Sequence, residues 1–366
     1  MADMTLGETG RRFMGAAIRL ARRHEGWTAT NPSVACLIVR DGVIVGRGVT
    51  ARGGRPHAEP LALEEAGELA RGATAYVTLE PCAHHGRTPP CAETLIAAGV
   101  GRVDTATVDP DPRVDERGHA MIRQAGIPVE VDVEGAAARE GLAAYLVHKR
   151  TGRPFVTLKL AVSPDGLLGL AGIAQASVTG PEARAQAHLM RARHHAIMIG
   201  AGTAAADDPE LTCRLAGLED RSPLRIVIDA RQSLGSASRL VASTDRVRLL
   251  VVGPPNPGLA GTGVEYIACE LVDGRVALPE LLDDLGARGI QSLLVEGGAR
   301  LAASLLAEGL VDRLALFAGA RPISLSLNAG QGIASPVRAD SCPPGFRLTG
   351  EWKFGEDRLR TFEPME

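Results

Sequence analysis

Three short fragments constrain this chain more than anything else in it: His57-Ala58-Glu59, Pro81-Cys82 and Pro89-Pro90-Cys91. One imidazole and two thiolates are the donor set of a tetrahedral Zn²⁺ that keeps its fourth position open for water, which separates a catalytic site from a closed structural one. Any fold that uses them together must bring residues 57–59 and 82–91 to one point. Water activated by such an ion is a usable nucleophile near neutral pH. Glu59 follows His57 by two residues, at the predicted start of a helix, and can reach that water without binding the metal. Both cysteines are predicted to lie near helix starts, where the backbone dipole favours thiolate.

The surrounding pattern alternates strands and helices. Phe13, Ala17, Leu20, Ala21 and His24 share one helical face. The apolar runs 34–39 and 43–45 flank Asp41-Gly42, a strong hairpin signal. A helix is predicted over 57–70 and a buried strand over 74–79. Pro89-Pro90 suit the first turn of a helix running to about Ala98. Strand 102–108, helix 117–125, strand 127–133 and helix 134–147 complete an α/β sandwich. The polar, basic stretch His148-Lys-Arg-Thr-Gly-Arg-Pro154 reads as a linker. We therefore expect domains at 1–150 and 151–366. The second repeats the α/β pattern, with strands at 155–162, 195–199, 224–229, 247–252, 292–295 and 314–317. Helices are expected near 181–193, 278–288 and 299–308. Residues 321–342 are rich in Ser, Gly, Pro and Ala and read as a loop.

The 366 residues favour two domains at about 150 each. Lys plus Arg is 40 against 43 Asp plus Glu, and aromatics are 3%, a poor basis for nucleic-acid binding. No stretch has the length of a membrane span, and Asp3, Glu8 and Arg19 are unlike a secretory signal. Six cysteines make no disulfide framework at this length, so a reducing, cytoplasmic setting is expected.

His-x-Glu followed by Pro-Cys and a second Cys is the pattern of zinc-dependent nucleobase deaminases. Their second half is usually Pro-Cys-x-x-Cys, whereas eight residues separate Cys82 from Cys91 here. The insertion adds His84, His85 and Arg87. A basic loop suits an anionic substrate or a pyrimidine carbonyl, and His85 serves equally well as a loop-packing residue. Together, Asn31-Pro-Ser-Val34, Pro56-His-Ala-Glu59 and Thr78-Leu-Glu-Pro-Cys-Ala-His-His-Gly-Arg-Thr-Pro-Pro-Cys91 resemble the bifunctional deaminase/reductases of riboflavin biosynthesis. The resemblance continues through Lys159-Leu-Ala-Val-Ser163, Asp165-Gly166, Leu189-Met-Arg-Ala192, Gly200-Ala-Gly-Thr203, Asp207-Asp-Pro-Glu-Leu-Thr212, Arg214 and Glu296-Gly-Gly298, thinning after about residue 318.

The resemblance implies a cytidine-deaminase-like α/β/α sandwich followed by a dihydrofolate-reductase-like α/β domain. It implies removal of the 2-amino group of a diaminopyrimidinone ribosylamino 5′-phosphate, then NADPH-dependent reduction of its ribosyl group to ribityl. His57, Cys82 and Cys91 would bind one zinc per chain, Glu59 would shuttle protons, and Asn31, His84 and Arg87 would hold the substrate. In the second half Ala161, Ser177, Thr203, Asp207, Gly298, Ala299, Arg300, Leu301, Ala302, Ala303 and Ser304 would line the NADPH site. Lys159, Gln175, Arg191, Leu211, Arg214 and Glu296 would face the reductase substrate. A homodimer or homotetramer through the reductase domain is implied as well. From the residues alone, the short glycine turns at 200–203 and 296–298 fit cofactor approach or ordinary turns equally. Arg191 and Arg214 fit a phosphate or a structural ion pair. Gln175 and Ser177 stand where many members carry Ser and Trp. That departure motivates a second reading, a deaminase with a weakened reductase half.

Overall fold

A computed structural model describes residues 6–86, 88–170, 178–323 and 332–365. Arg87, Gln175 and Ser177 lie outside the described residues. The chain divides into two compact units, Met1–Gly152 and Arg153–Glu366.

The first unit runs α1 (Leu6–Ala21), β1 (Ala35–Arg40), β2 (Val43–Val49), α2 (Ala58–Ala66), β3 (Thr74–Val77), α3 (Cys91–Ala97), β4 (Arg102–Thr105), α4 (Arg117–Gln124), β5 (Val129–Glu130) and α5 (Gly135–Thr151). Its sheet has the order β2-β1-β3-β4-β5. β1 is antiparallel to β2 and β3, and β3, β4 and β5 are parallel. Asp41 and Gly42, at φ 51° and 77°, make the hairpin turn that an Asp-Gly pair favours. Strand alternation sorts the side chains. Leu37, Val39 and Tyr76 pack with Phe13, Met14 and Ala17 of α1, while Cys36, Ile38 and Val77 pack with Ala58 and Ala62 of α2 and Leu95 of α3. α2 lies directly on β2: a Cβ on Gly46 would overlap the Ala62 carbonyl oxygen, and one on Gly48 that of Ala58. Close backbone approach of this kind is what glycine permits.

The polar stretch expected to be a linker is partly helical. α5 continues to Thr151 and ends at Gly152 in the left-handed region, with the Gly152 N–H donating to His148 O. His148, Lys149 and Arg150 form a basic last turn, which complements the helix dipole.

The second unit contains β6 (Phe155–Val162), β7 (Leu167–Leu170), α6 (Pro181–Ala192), β8 (Ala196–Gly200), α7 (Ala201–Asp207), β9 (Leu224–Ile228), α8 (Arg239–Ala242), β10 (Leu249–Val252), β11 (Glu265–Ile267), β12 (Leu271–Val272), β13 (Arg275–Val276), α9 (Leu278–Ala287), β14 (Ser292–Val295), α10 (Ala299–Ala307), β15 (Arg313–Ala318), β16 (Gly332–Ala334), β17 (Phe346–Phe354) and β18 (Asp357–Pro364). The main sheet has the order β11-β10-β9-β8-β14-β6-β15-β18-β17. It is parallel up to β15, and the β17–β18 hairpin adds two antiparallel strands. Leu281, Leu285, Ala302 and Leu305 cover one face of it, and Ala204, Leu211, Leu240 and Val241 belong to the core on the other. Part of the segment expected to be a loop forms β16, paired antiparallel with β7. Pro164 sits at the second position of a tight turn, where its fixed φ fits, and the Gly166 N–H donates to Ser163 O at 2.9 Å.

Candidate active sites

His57 caps the N-terminus of α2 from an extended backbone, and its imidazole makes no capping bond to that helix. The ring is turned toward the thiols instead. His57 Nδ1 lies 3.8 Å from Cys82 Sγ and 3.4 Å from Cys91 Sγ, and the three donor atoms fall within 4.8 Å of one another. Tetrahedral bonds of about 2.3 Å to sulfur and about 2.0 Å to nitrogen place neighbouring donors roughly 3.5–3.8 Å apart, so this donor set fits zinc. Cys91 opens α3, and its N–H donates to Cys82 Sγ at 3.3 Å. Cys82 does not begin a helix. It lies in the irregular stretch between β3 and α3, because Pro89 and Pro90 postpone the helix to Cys91. The thiols share a proton: the Cys91 thiol, together with His57, brings Cys82 down to about 4, while Cys91 is pushed up by the same contact and by burial.

Glu59 is buried in the first turn of α2. Burial raises its pKa, and a Cys82 thiolate raises it further. A carboxyl raised in this way holds a proton more readily than a solvent-exposed one, as a proton-transfer group requires.

The remaining predicted residues of this site are distributed unevenly. Asn31 donates from Nδ2 to Gly54 O at 2.8 Å, so one end of its amide fixes the loop leading to His57. His84 is half-buried, and its Nδ1 has no hydrogen-bond partner among the described residues. His85 is exposed and lies 3.0 Å from Glu93, which is the packing alternative for that histidine.

Two residues that sequence reasoning did not single out matter here. Arg55 donates to Thr88 Oγ1 at 3.2 Å and so joins the loop before His57 to the one between the cysteines. Glu80 is buried beside Pro81-Cys82 and accepts from the backbone N–H groups of Asp109, Glu116, Gly118 and His119 at 3.0–3.3 Å. The signal for Glu80 was its charge in an otherwise apolar strand end.

In the second unit β8 and β14 are parallel neighbours, so their C-terminal ends lie side by side, and the Glu296 N–H donates to Met198 O at 3.1 Å. The starts of α7 and α10 meet there. A Cβ on Gly298 would stand 3.0 Å from Thr203 Oγ1, and one on Gly202 3.7 Å from Arg300 Nη2. The stretch from Gly298 to Ser304 does not line one surface, because a helix turns through 100° per residue. Ala302 is fully buried in the core, whereas Arg300 and Ala303 are exposed. The Leu211 side chain is likewise buried, among Val227, Leu240 and Val241, which leaves only its backbone for a substrate.

Arg191 donates to Glu296 from Nε at 2.7 Å and from Nη2 at 2.8 Å, and from Nη1 to Thr212 O at 3.2 Å. Lys159 Nζ is 3.8 Å from the same carboxylate. These cations outweigh burial and hold Glu296 at about 2. Burial, with Arg191 and Arg214 beside it, keeps His188 down at about 4. Arg214 is the more available cation, with its side chain 53% exposed.

Family models match both units: the cytidine and deoxycytidylate deaminase zinc-binding region over residues 8–107 and the RibD C-terminal domain over 154–325. The riboflavin biosynthesis protein RibD of Escherichia coli is 41% identical over 316 residues, covering 83% of this chain and 86% of that protein. The chain belongs to the RibD family. The solved RibD of Acinetobacter baumannii is 34% identical, with a TM-score of 0.84 over 98% of this chain and 99% of that one. A diaminohydroxyphosphoribosylaminopyrimidine deaminase/5-amino-6-(5-phosphoribosylamino)uracil reductase from Thermotoga maritima is 30% identical, with a TM-score of 0.87 over 99% and 100% of the two chains. As a RibD protein, the chain is a bifunctional deaminase/reductase of riboflavin biosynthesis whose cofactors are zinc and NADPH. The match across 154–325 favours this reading over a deaminase with a weakened second half. No helix among the described residues is long and apolar enough to cross a membrane.

Proposed function

We propose that the first unit (residues 1–150 in the sequence-based division) removes the 2-amino group of 2,5-diamino-6-ribosylamino-4(3H)-pyrimidinone 5′-phosphate. The second (151–366) then reduces the ribosyl group of the product to ribityl. The convergence of His57, Cys82 and Cys91 beside buried Glu59 carries the first half of this reading. These three residues would hold zinc, which when bound supplies the Lewis acidity that makes water a nucleophile near neutral pH. Glu59 would take one proton from the attacking water and deliver it to the ring nitrogen, then carry the remaining hydroxyl proton to the amino group, which departs as ammonia as the carbonyl forms. Asn31, His84 and Arg87 would orient the pyrimidine and its phosphate. The Nδ1 of half-buried His84, which has no partner among the described residues, supports that role.

In the reductase unit Ala161, Ser177, Thr203, Asp207 and the first turn of α10 from Gly298 would hold NADPH, which supplies the hydride. The close approach of Thr203 to Gly298 supports this placement. Arg214 would bind the substrate phosphate. Lys159, Gln175, Glu296, the Leu211 backbone and Arg191 through its pair with Glu296 would frame the ribose. The enzyme's task here is to align the hydride donor with C1′ and exclude water. We place the reaction in the reducing cytoplasm, where six free cysteines persist, and in a homodimer or homotetramer formed through the reductase domain.

The test is specificity. Zinc-loaded protein should release ammonia from the diaminopyrimidinone phosphate and none from cytidine or guanine. Turnover of cytidine or guanine in its place would overturn the reading.

A further inference from the structure

Arg225 carries a guanidinium that is fully buried, and among the described residues no carboxylate is a hydrogen-bond partner of it. Its donors reach three segments instead. Nε donates to Arg248 O at 3.4 Å and Nη2 to Val247 O, at the start of β10. Nη1 donates to Ser243 Oγ at 2.7 Å and Nη2 to Ser243 O at 3.2 Å, at the end of α8. Nη1 also donates to Glu210 O at 3.2 Å. Burial lowers the Arg225 pKa to about 10, so the group remains cationic at neutral pH. A buried cation is tolerated when fixed acceptors replace its water, and a planar fork with five N–H donors suits several carbonyls at once.

The contact with Glu210 stands apart from the others. Residues 208–214 open the connection from α7 to β9 and include two residues at positive φ, Asp208 at 37° and Leu211 at 57°. Such a backbone persists only where the surroundings hold it. Asp208 Oδ1 accepts from the Arg239 N–H at 2.8 Å, and Thr212 O accepts from Arg191. The Glu210 carboxylate lies 3.4–3.9 Å from Arg214, Arg239 and Arg246. The Glu210 carbonyl, between the two positive-φ residues and directly before Leu211, is held by Arg225.

We propose that Arg225 is a positioning residue of the reductase, fixing the 208–214 loop so that Arg214 and the Leu211 backbone stand where the deaminated substrate binds. The inference rests on the reading that this loop faces that substrate. Arg225 touches neither substrate nor cofactor, so its effect should appear in substrate KM and leave NADPH affinity alone.

The test uses the full chain supplied directly with the deaminated intermediate and NADPH. Arg225→Lys keeps the charge and loses the fork. It should raise KM for the intermediate at least 10-fold, with kcat reduced less than 3-fold, NADPH Kd within 2-fold, and ammonia release from the first unit unchanged. Ser243→Ala removes one acceptor and leaves Glu210 O bound, so it should fold and raise KM by a smaller factor of about 2–5. Unchanged KM in Arg225→Lys would overturn the inference. So would a parallel loss of NADPH binding and kcat, because that marks a merely structural role. Should Arg225→Lys fail to fold, unchanged KM in Ser243→Ala overturns it. Arg214→Ala separates the two ideas. If it leaves KM unchanged, the substrate-facing reading of the loop fails. If it raises KM while Arg225→Lys does not, only the positioning role fails.

Discussion

Arg191 and Glu296 are 105 positions apart and meet as a two-pronged pair at 2.7 and 2.8 Å, their side chains only 13% and 12% exposed. Removing the carboxylate leaves Arg191 and Lys159 facing each other without a counter-charge. Breaking such a pair from one side costs about 3–5 kcal/mol. Glu296→Gln should therefore lower the unfolding free energy of the second unit by that order and abolish NADPH oxidation, with ammonia release unaffected. Denaturant titration of both variants measures it. The Glu296 carboxyl drops from an ordinary value of 4.5 to about 2 on folding, so its contribution is complete above about 4.5 and is lost as pH falls toward 2. The gap between wild type and variant should shrink across that window, and a gap that widened in acid would contradict the pairing.

Glu59→Gln keeps the shape of the buried side chain and removes its proton chemistry. General acid–base groups contribute about 10²–10⁴-fold to rate. Ammonia release should fall by that factor, zinc content should stay at one per chain, and NADPH oxidation with supplied intermediate should be unchanged. Metal analysis beside the two assays decides it, and lost zinc would recast Glu59 as structural.

Gly48 lets β2 touch α2, the helix that begins at His57 and carries Glu59. Gly48→Ala forces its Cβ against the Ala58 carbonyl oxygen, which is backbone and cannot swing aside. Overpacking of this kind costs about 1–3 kcal/mol. Because the strain falls on the turn bearing Glu59, the proposed proton carrier, ammonia release should drop more than the unfolded fraction accounts for. Circular dichroism and the ammonia assay, read together, test that difference.

Much of this architecture was legible because local chemistry and tertiary packing agree. Asp41-Gly42 turns where predicted, Pro90 precedes α3, and the ligand triad converges. Other features depend on contacts the sequence hides. α7 begins Ala201-Gly-Thr and reads as a glycine turn, yet β8 and β9 hold it as a helix. The β17–β18 hairpin alternates weakly, since its outer strand is largely exposed, and its register comes from pairing with β15. Leu211 and Ala302 fall inside plausible site motifs, but their apolar side chains point into the core. Glu80 and Arg225 escaped notice for a shared reason: most of their hydrogen-bond partners are backbone groups, so no partner residue type points to them.

His194 is half-buried, with its ring nitrogens 2.7 Å from Met190 O and 3.1 Å from Thr157 Oγ1. Burial lowers its pKa from 6.5 to about 4. The unfolded chain binds this proton more readily than the folded one, so stability is complete above about 6.5 and falls as pH drops toward 4. The loss is on the order of 2–3 kcal/mol. Unfolding of the second unit followed from pH 7 to pH 4 should show this slope added to that of His188, and His194→Gln should make it shallower by the His194 share.

The most direct test of the account follows both activities in one purified, metal-analysed chain. The diaminopyrimidinone ribosylamino phosphate is supplied first without NADPH and ammonia is measured; NADPH is then added and its absorbance followed. The account predicts stoichiometric ammonia in the first stage and NADPH oxidation only after it. Absence of ammonia from protein with one zinc bound, or ammonia release with no NADPH oxidation in the second stage, would contradict it.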